Sequence, residues 1–230
     1  MSVKIISVAK KLPKYVKETK EIIPFVKQWM QGQESRFQRK VLKLFEGAGV
    51  DKRYSIMDAE EVFLNTSFEE KNNIYIKEVT KLAEQSLLKS LKKARLQTTD
   101  IDYIVTVSCT GIMIPSVDAY LINSLQMRQD IVRLPVTEMG CVAGISGIIY
   151  AKNFLKSNPN KRAAIVSVEA ATATFQMEDY SMANIVSAAI FGDGAASVIL
   201  SSFEEDEGPI IRDEAMYHFY DSIDIMGFKL

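Results

Sequence analysis

The sequence predicts an α/β protein in which helices cover a parallel or mixed sheet. Two observations support this class: strand-like and helix-like segments alternate along most of the chain, and the strand-like segments, such as residues 101–109, are almost continuously apolar. Strands of this kind are typical of sheets that are buried on both faces. The 230 residues, of which 47% are hydrophobic, suffice for one large core or two small ones.

The first part of the chain is expected to form one strand followed by helices. Residues 3–8, VKIISV, have the apolar and β-branched composition of a strand. The charged segment from Thr19 to Gly47 is expected to be helical and to be interrupted near Pro24, because proline lacks a backbone donor. Gly47 is expected to end it, because glycine favours helix ends. Residues 72–95 carry apolar side chains at helical spacing, which predicts one amphipathic helix.

The middle of the chain predicts a β-α-β-α-β order. The expected strands are 101–109, 131–136 and 163–170, and the expected helices between them are 117–127 and 142–156. After them, Gly192, Asp193 and Gly194 predict a tight turn. This turn would join two strands, NIVSAAIF and AASVIL, so we expect a hairpin in this region.

Charge and cysteine content exclude several classes of protein. The net charge of −1 gives no broad positive surface for nucleic acid, so no nucleic-acid partner is expected. The N-terminus lacks the apolar core of a secretory signal and no run of about 18 apolar residues occurs, so we expect a cytoplasmic protein without a membrane span. The two cysteines, Cys109 and Cys141, are too few for a disulfide scaffold or a metal site and are expected to be free thiols.

Cys141 lies in a glycine-rich stretch, TEMGCVAGISG, between a predicted strand and a predicted helix. A sharp turn there would direct helix-terminal N–H groups toward the sulfur, which favours the thiolate and lowers the pKa of a cysteine from about 8.5. Gly140 and Gly144 have no Cβ, so a substrate can approach closely. The pattern therefore indicates a nucleophile. A buried cysteine that serves only as a small apolar side chain accounts for the same position, because free cysteine is among the most buried residue types.

The segment SRFQRKVLK predicts a helix with one basic and one apolar face. The basic positions, spaced by three and four residues, are Arg36, Arg39, Lys40 and Lys43, and the apolar positions are Phe37, Val41 and Leu44. Such a face is either the solvated side of an amphipathic helix or a phosphate-binding surface. The spacing alone leaves both interpretations open.

Four segments occur in an order and spacing that resemble a known family. They are SCTGIMIPSVDAYLINSLQM, TEMGCVAGISG, SVEAATATF and AIFGDGAASVIL. Together they resemble the N-terminal half of type III polyketide synthases, the chalcone synthase-like family, from about Val62 to Leu200. The resemblance implies the N-terminal half of a thiolase-like layered α/β fold, with a mixed five-stranded sheet covered by helices.

The resemblance also implies an acyltransferase that condenses acyl groups carried on coenzyme A. Cys141 falls on the family's nucleophile, which accepts the starter group from an acyl-CoA and holds it while malonyl-CoA is decarboxylated and added. Phe191 falls on the family's gatekeeper phenylalanine, although residue type alone equally fits a core aromatic. A homodimer is implied. No cofactor is implied beyond the coenzyme A thioesters, which are substrates.

Two further groups of residues match family positions. Those implied to line the cavity are Cys109, Thr110, Ile114 and Thr174. Ile114, with Pro115, matches the segment that completes the partner's cavity wall, where plant enzymes often have methionine. Those implied to hold the coenzyme A phosphates are Arg36, Arg39 and Lys43.

The family's catalytic histidine and asparagine have no match in this sequence. The one histidine, His218, lies in a segment that resembles the region between the two halves, so we expect a structural or surface residue. Residues 1–230 are expected to form the N-terminal condensing-enzyme domain. The C-terminal half is absent from this sequence, either because the chain is truncated or because another chain completes it, and an exposed apolar face is expected.

Three functions stay open on the sequence. The first is a type III polyketide synthase domain. The second is a single-step ketoacyl synthase-like condensing enzyme. The third is a non-catalytic subunit that binds acyl-CoA or pairs with a catalytic partner.

Overall fold

A computed structural model describes residues 2–64 and 66–225 of the chain. The strands in these residues are β1 (Lys4–Lys11), β2 (Tyr15–Glu18), β3 (Lys52–Ser55), β4 (Tyr103–Val107), β5 (Val132–Val136), β6 (Arg162–Ala170) and β7 (Asp193–Ser201). Five of them form one sheet in the order β1-β7-β6-β4-β5, and β2 pairs with β3 separately. β4 is parallel to β5 and β6, whereas β7 is antiparallel to β6 and β1. The predicted mixed five-stranded sheet is confirmed.

The helices of the described residues are α1 (Thr19–Trp29), α2 (Ser35–Gly47), α3 (Ala59–Val62), α4 (Phe68–Ala94), α5 (Val117–Ser124), α6 (Ala143–Ser157) and α7 (Met182–Ile190). Short 3-10 turns lie at Thr98–Asp100, Gly140–Val142 and Ala171–Thr174. The longest helix, α4, begins at a capping box in which Ser67 and Glu70 each accept the other's backbone N–H. It ends at Arg95, whose left-handed conformation terminates the helix.

Helices cover the sheet on both faces. α4 packs across β1, β7 and β6 on one face, and α6 packs against β4 and β6 on the other. Alternate side chains of β4 point into the two cores, with Ile104 facing α4 and Val105 facing α6, so the strand is buried along its whole length. Gly147 lets α6 approach closely, because a Cβ there would lie 3.3 Å from side-chain atoms of Ile165 and Val105.

A third core lies beside the sheet and is built from α1, α2 and α7. Its fully buried members include Val26, Val41 and Ile185. Phe175, which follows the Ala171–Thr174 turn, belongs to the same core. Through these contacts α2 and α7 are fixed next to the carboxyl end of β6.

The expected helix interruption near Pro24 is wrong, because Pro24 lies inside α1. Proline removes only the bond to the carbonyl four residues earlier, and that carbonyl belongs to Lys20, an exposed residue that water can reach. The break between α1 and α2 falls later, where Gly32 adopts a positive φ of 89°.

The expected hairpin is also wrong. The segment predicted as its first strand forms α7, which begins at Ser181, whose side chain accepts the backbone N–H of Asn184. Ile185 and Ala189, four residues apart, bury one helical face. A short apolar run does not distinguish a strand from a buried helix, and the cap and spacing decide here. β7 pairs with β6 instead.

The outer strand β5 does not have the burial that its apolar sequence predicts. It ends the sheet, pairs only with β4 among the described strands, and exposes Val132 at 47%. The small sheet of β2 and β3 was not predicted at all, because each strand is only four residues long.

Candidate active site

The predicted site residues gather at one edge of the sheet. β4, β5 and β6 are parallel, so their carboxyl ends meet there. Cys109 follows β4, Cys141 follows β5, and Thr174 follows β6. Phe191 reaches the same edge from the other direction, because Asp193 at the start of antiparallel β7 pairs with Ala170 at the end of β6. Ligand sites of open α/β sheets lie at this edge.

Cys141 occupies the strand–turn–helix position that the sequence predicts. The Gly140–Val142 turn leads directly into α6, a helix of 15 residues. Gly140 has a φ of +58°, a left-handed conformation that favours glycine. Cys141 is exposed, so its sulfur is accessible and the interpretation as a buried apolar filler does not hold. Cys141 therefore lies just before the N-terminus of α6, where the helix dipole has its positive end.

The loop after β4 is held by Glu169, a residue that the sequence analysis missed. Glu169 accepts the backbone N–H of Cys109 on both carboxylate oxygens at 3.1 Å. It also accepts the backbone N–H of Thr110 at 3.1 Å and the Thr110 hydroxyl at 2.7 Å. Thr110 Oγ1 in turn accepts the N–H of Ala170 at 2.8 Å. These hydrogen bonds connect the loop after β4 to the end of β6.

Cys109 is exposed, as Cys141 is, and its thiol lies beside the Glu169 carboxylate. Partial burial, reinforced by the Glu169 carboxylate, raises the pKa of Cys109 to about 11. A hydrogen bond from the Gly140 backbone acts in the opposite direction and brings this loop next to the Cys141 turn. At neutral pH Cys109 is therefore a protonated thiol beside the predicted nucleophile.

The other two predicted cavity positions lie in different settings. Thr174 is exposed, and its hydroxyl donates to the carbonyl of Ala171 at 2.8 Å. Ile114 is 93% exposed and precedes Pro115 through a cis peptide bond. Within the described residues Ile114 therefore lines no enclosed cavity of this chain.

Phe191 is half-buried at the end of α7, where its backbone N–H donates to the carbonyl of Ser187 at 3.0 Å. It borders a cavity of about 80 Å³ that Phe175, Phe63 and Arg53 also line. Neither Cys141 nor Cys109 lines this cavity.

Asp193, two residues after Phe191, is a second residue that the sequence analysis missed. It is buried and accepts hydrogen bonds from the N–H of Ile56 at 2.8 Å and from the N–H of Thr172 at 3.0 Å. The Thr172 hydroxyl donates to it as well. Burial still raises the pKa of Asp193 to about 6. Both missed carboxylates lie in the quoted segments SVEAATATF and AIFGDGAASVIL, and their positions at strand ends were the available signal.

The predicted basic face is exposed on α2. Arg36, Arg39, Lys40 and Lys43 are all exposed, and Phe37, Val41 and Leu44 contact the core beneath. α2 packs against α7, which ends just before Phe191. His218 is exposed and lies outside every helix and strand, as expected for a surface residue.

The described residues offer neither a metal site nor a membrane span. Among residues 2–64 and 66–225, no cluster of histidine, cysteine and acidic side chains is arranged to hold a metal ion. In the same residues, no helix is both long enough and apolar enough to cross a membrane.

A mixed sheet between α4 and α6, with a cysteine turn at its carboxyl edge, defines the N-terminal half of a thiolase-like α/β enzyme. The chain belongs to the chalcone and stilbene synthase family, because the family model for the N-terminal domain of these enzymes matches residues 2–203. The predicted family and fold class are confirmed.

Curated relatives agree with this assignment. The chain is 38% identical over 157 residues to 1,3,6,8-tetrahydroxynaphthalene synthase of Streptomyces peucetius, an alignment that covers 68% of this chain and 41% of the relative. It is 29% identical over 175 residues to phloroglucinol synthase of Pseudomonas fluorescens, covering 76% and 50%. The chain therefore spans about half the length of these relatives.

Solved structures of type III polyketide synthases have the same fold. 1,3,6,8-Tetrahydroxynaphthalene synthase of Streptomyces coelicolor superposes with a TM-score of 0.81 at 28% identity, over 87% of this chain and 57% of that one. The type III polyketide synthase domain of Steely1 from Dictyostelium gives 0.82 at 25% identity, over 91% and 59%.

Proposed function

We propose that this chain forms the nucleophile-bearing half of a type III polyketide synthase. The observation that carries the proposal is the position of Cys141, an exposed thiol in a turn that leads into α6 at the carboxyl edge of the sheet. Family membership and the solved type III polyketide synthases support it. The substrates would be a starter acyl-CoA and malonyl-CoA, without a further cofactor.

The chemistry requires two exchanges at Cys141. Its thiolate attacks the carbonyl carbon of the starter thioester, and coenzyme A leaves as a thiolate that takes up a proton. Malonyl-CoA then loses carbon dioxide, and the resulting enolate carbon attacks the Cys141 thioester, which releases the Cys141 thiolate. Donors that stabilise the enolate oxygen are needed for this step. We propose that a second half supplies them, as the family's histidine and asparagine do.

The remaining residues are assigned to binding. In this proposal Phe191 is the gatekeeper between the coenzyme A passage and the acyl cavity. Cys109, Thr110, Ile114 and Thr174 line that cavity. Arg36, Arg39 and Lys43 hold the coenzyme A phosphates, a task that suits the planar fork of arginine.

We further propose that two copies of the chain pair through β5. Among the described residues β5 pairs only with β4, so its outer edge can accept a second strand, and the neighbouring apolar side chains Val132, Val142 and Ile145 are 47%, 57% and 61% exposed. A two-fold axis beside β5 would continue the sheet and cover these side chains. Ile114 would then reach the partner's cavity. Val132→Lys should weaken the dimer in sedimentation velocity, and an unchanged sedimentation coefficient would place the interface elsewhere.

Product analysis tests the function. The protein expressed from its own gene is incubated with an acyl-CoA and malonyl-CoA, and the products are identified by mass spectrometry. Pyrones or resorcinols support a polyketide synthase, and a product extended once supports the single-step alternative. Binding of acyl-CoA without any product supports the non-catalytic alternative. The 230-residue chain alone is expected to make no polyketide.

A further inference from the structure

Arg53 on β3 bonds to the last turn of α7, just before Phe191. Its Nη2 donates to the backbone carbonyl of Ala189, two residues before Phe191. Its Nη1 donates to Thr19 Oγ1 at 2.7 Å, and the guanidinium lies over the Phe45 ring with Cζ 5.6 Å from the ring centroid. Arg53 therefore joins the end of α7 to the helices that surround it.

The buried charge of Arg53 faces the C-terminal end of α7. The residue is 7% exposed, its Nε has no hydrogen-bond partner among the described residues, and no ion pair with a carboxylate occurs there. A buried guanidinium without a counterion is costly. The carbonyl groups at the C-terminus of α7 carry partial negative charge, which offsets part of that cost. The charge thus favours the structure in which the last turn of α7 stays formed.

Tyr54 of β3 and Ile56, which follows β3, contact the chain on the other side of Phe191. Gly192 lies against the Tyr54 backbone, where an added Cβ would be 3.2 Å from the Tyr54 carbonyl oxygen. The N–H of Ile56 then donates to Asp193 at 2.8 Å. β3 thus fixes the main chain before and after Phe191, while the aromatic ring borders the cavity of about 80 Å³.

We propose that Arg53 is a positioning residue that sets the orientation of Phe191 and thereby the acyl groups that reach Cys141. The proposal rests on the gatekeeper role given to Phe191 above. In this proposal Arg53 acts through the Ala189 carbonyl and takes no part in the chemistry at Cys141. Its loss should loosen the last turn of α7 and weaken discrimination between short and long acyl chains.

The first test is a double-mutant cycle in the protein expressed from its own gene. Acylation of Cys141 by a six-carbon and a twelve-carbon acyl-CoA is followed by mass spectrometry in the unchanged protein, Arg53→Met, Phe191→Ala and the double variant. Arg53→Met should change the ratio of the two rates about threefold or more, a size typical of coupled neighbours. The change should vanish in the Phe191→Ala background. An equal change in both backgrounds would overturn the proposal.

The second test does not depend on acyl transfer. Hydrogen exchange is measured at the Phe191 and Gly192 amides in Arg53→Met and in the control Arg95→Met, which removes an exposed arginine at the end of α4. Exchange should accelerate about tenfold at these amides in Arg53→Met alone, with α6 unchanged. Unchanged exchange at these amides would overturn the positioning role of Arg53. The absence of any acyl-enzyme would instead contradict the proposed function, and the exchange measurement can still be made in that case. Where Arg53→Met fails to fold, Arg53→Lys replaces it, since lysine keeps the charge but lacks the fork that reaches two acceptors.

Discussion

Both carboxylate oxygens of Glu169 lie 3.1 Å from the backbone nitrogen of Cys109. The contact joins residues 60 positions apart in the chain and places a negative charge beside the Cys109 thiol. It therefore fixes the loop after β4 and adds to burial, which is the larger cause, in raising the pKa of Cys109. We therefore expect Cys109 to react more slowly than an ordinary thiol at neutral pH, although it is exposed at this sheet edge.

Removing the Glu169 charge should make Cys109 more acidic. In Glu169→Gln the side-chain oxygen still accepts a backbone N–H, but the carboxylate that opposes the thiolate is gone. The pKa of Cys109 should fall below 11 and stay above its ordinary value of 9.0, because burial is the larger cause. The pH dependence of iodoacetamide labelling, read by peptide mass spectrometry, measures this. A Cys109 profile that does not move would show that Glu169 has no electrostatic effect.

Asp193 should make stability depend on pH between about 4 and 6. The folded-state pKa is about 6 against an ordinary value of 3.8, so the folded protein holds a proton that the unfolded chain has lost in this window. The contribution of Asp193 to the free energy of unfolding is fully present below pH 3.8 and is lost as the pH rises through 6. The loss is on the order of 3 kcal/mol, from the conversion of a pKa difference into free energy.

Asp193→Asn tests this dependence. Urea unfolding at pH 4 and at pH 7 gives the free energy of unfolding of both proteins. Asparagine does not titrate, so the unchanged protein should lose more stability than the variant between the two pH values. At a single pH, the difference in the free energy of unfolding between the two proteins also includes the loss of hydrogen bonds to Asp193. Only the change between the two pH values therefore tests the pKa. Parallel pH profiles would contradict the raised pKa.

The basic face of α2 should bind coenzyme A through its charges. Arg39→Ala with Lys43→Ala should raise the Michaelis constant for malonyl-CoA in the protein expressed from its own gene, and added salt should reduce the difference because exposed charges are screened. Stability should change little, since both side chains are exposed. Lys77→Ala with Lys92→Ala, on exposed positions of α4, is the matched control. Equal Michaelis constants in all three proteins at low salt would mean that the basic face of α2 is only a solvated surface.

Gly111 should not tolerate a side chain. A Cβ at this position would lie 2.3 Å from the ring of Tyr75, which is buried and bonded to Ser108 Oγ at 2.6 Å. Gly111→Ala should therefore cost about 1–3 kcal/mol, as overpacking does. Gly144→Ala meets no atom within 4 Å and should be neutral or stabilising in thermal unfolding. Equal melting temperatures for the two variants would mean that the loop moves away from Tyr75 without cost.

The sequence predicts the sheet well where local signals and burial agree. β4 and β6 are apolar and central, and α4 has both an apolar stripe and a cap. The strand prediction for the segment that forms α7 is wrong because its nine mostly apolar or small residues fit either a strand or a helix. Only the recognition of Ser181 as a helix cap distinguishes the two. The predicted helix interruption at Pro24 is wrong because the one backbone hydrogen bond that proline removes would have used the carbonyl of Lys20. Lys20 is exposed in the folded chain, and the sequence does not show this.

The site is predictable only in part for a similar reason. Cys141 has a local signature, because glycine and a strand–helix junction surround it in the sequence. Glu169 and Asp193 are marked in the sequence only by their positions at strand ends, and their partners Cys109 and Ile56 lie 60 and 137 positions away. Arg53 looks like any surface arginine in the sequence, and its role depends on the end of α7 that covers it.

The central claim is that Cys141 is the residue that carries the acyl group. The most direct measurement is peptide mass spectrometry of the protein expressed from its own gene after brief exposure to an acyl-CoA, in the unchanged form and in Cys141→Ala and Cys109→Ala. The account predicts an acyl adduct on Cys141 that persists in Cys109→Ala and disappears in Cys141→Ala, together with faster iodoacetamide labelling of Cys141 than of Cys109. An adduct that survives in Cys141→Ala, with equal labelling of the two cysteines, would contradict it.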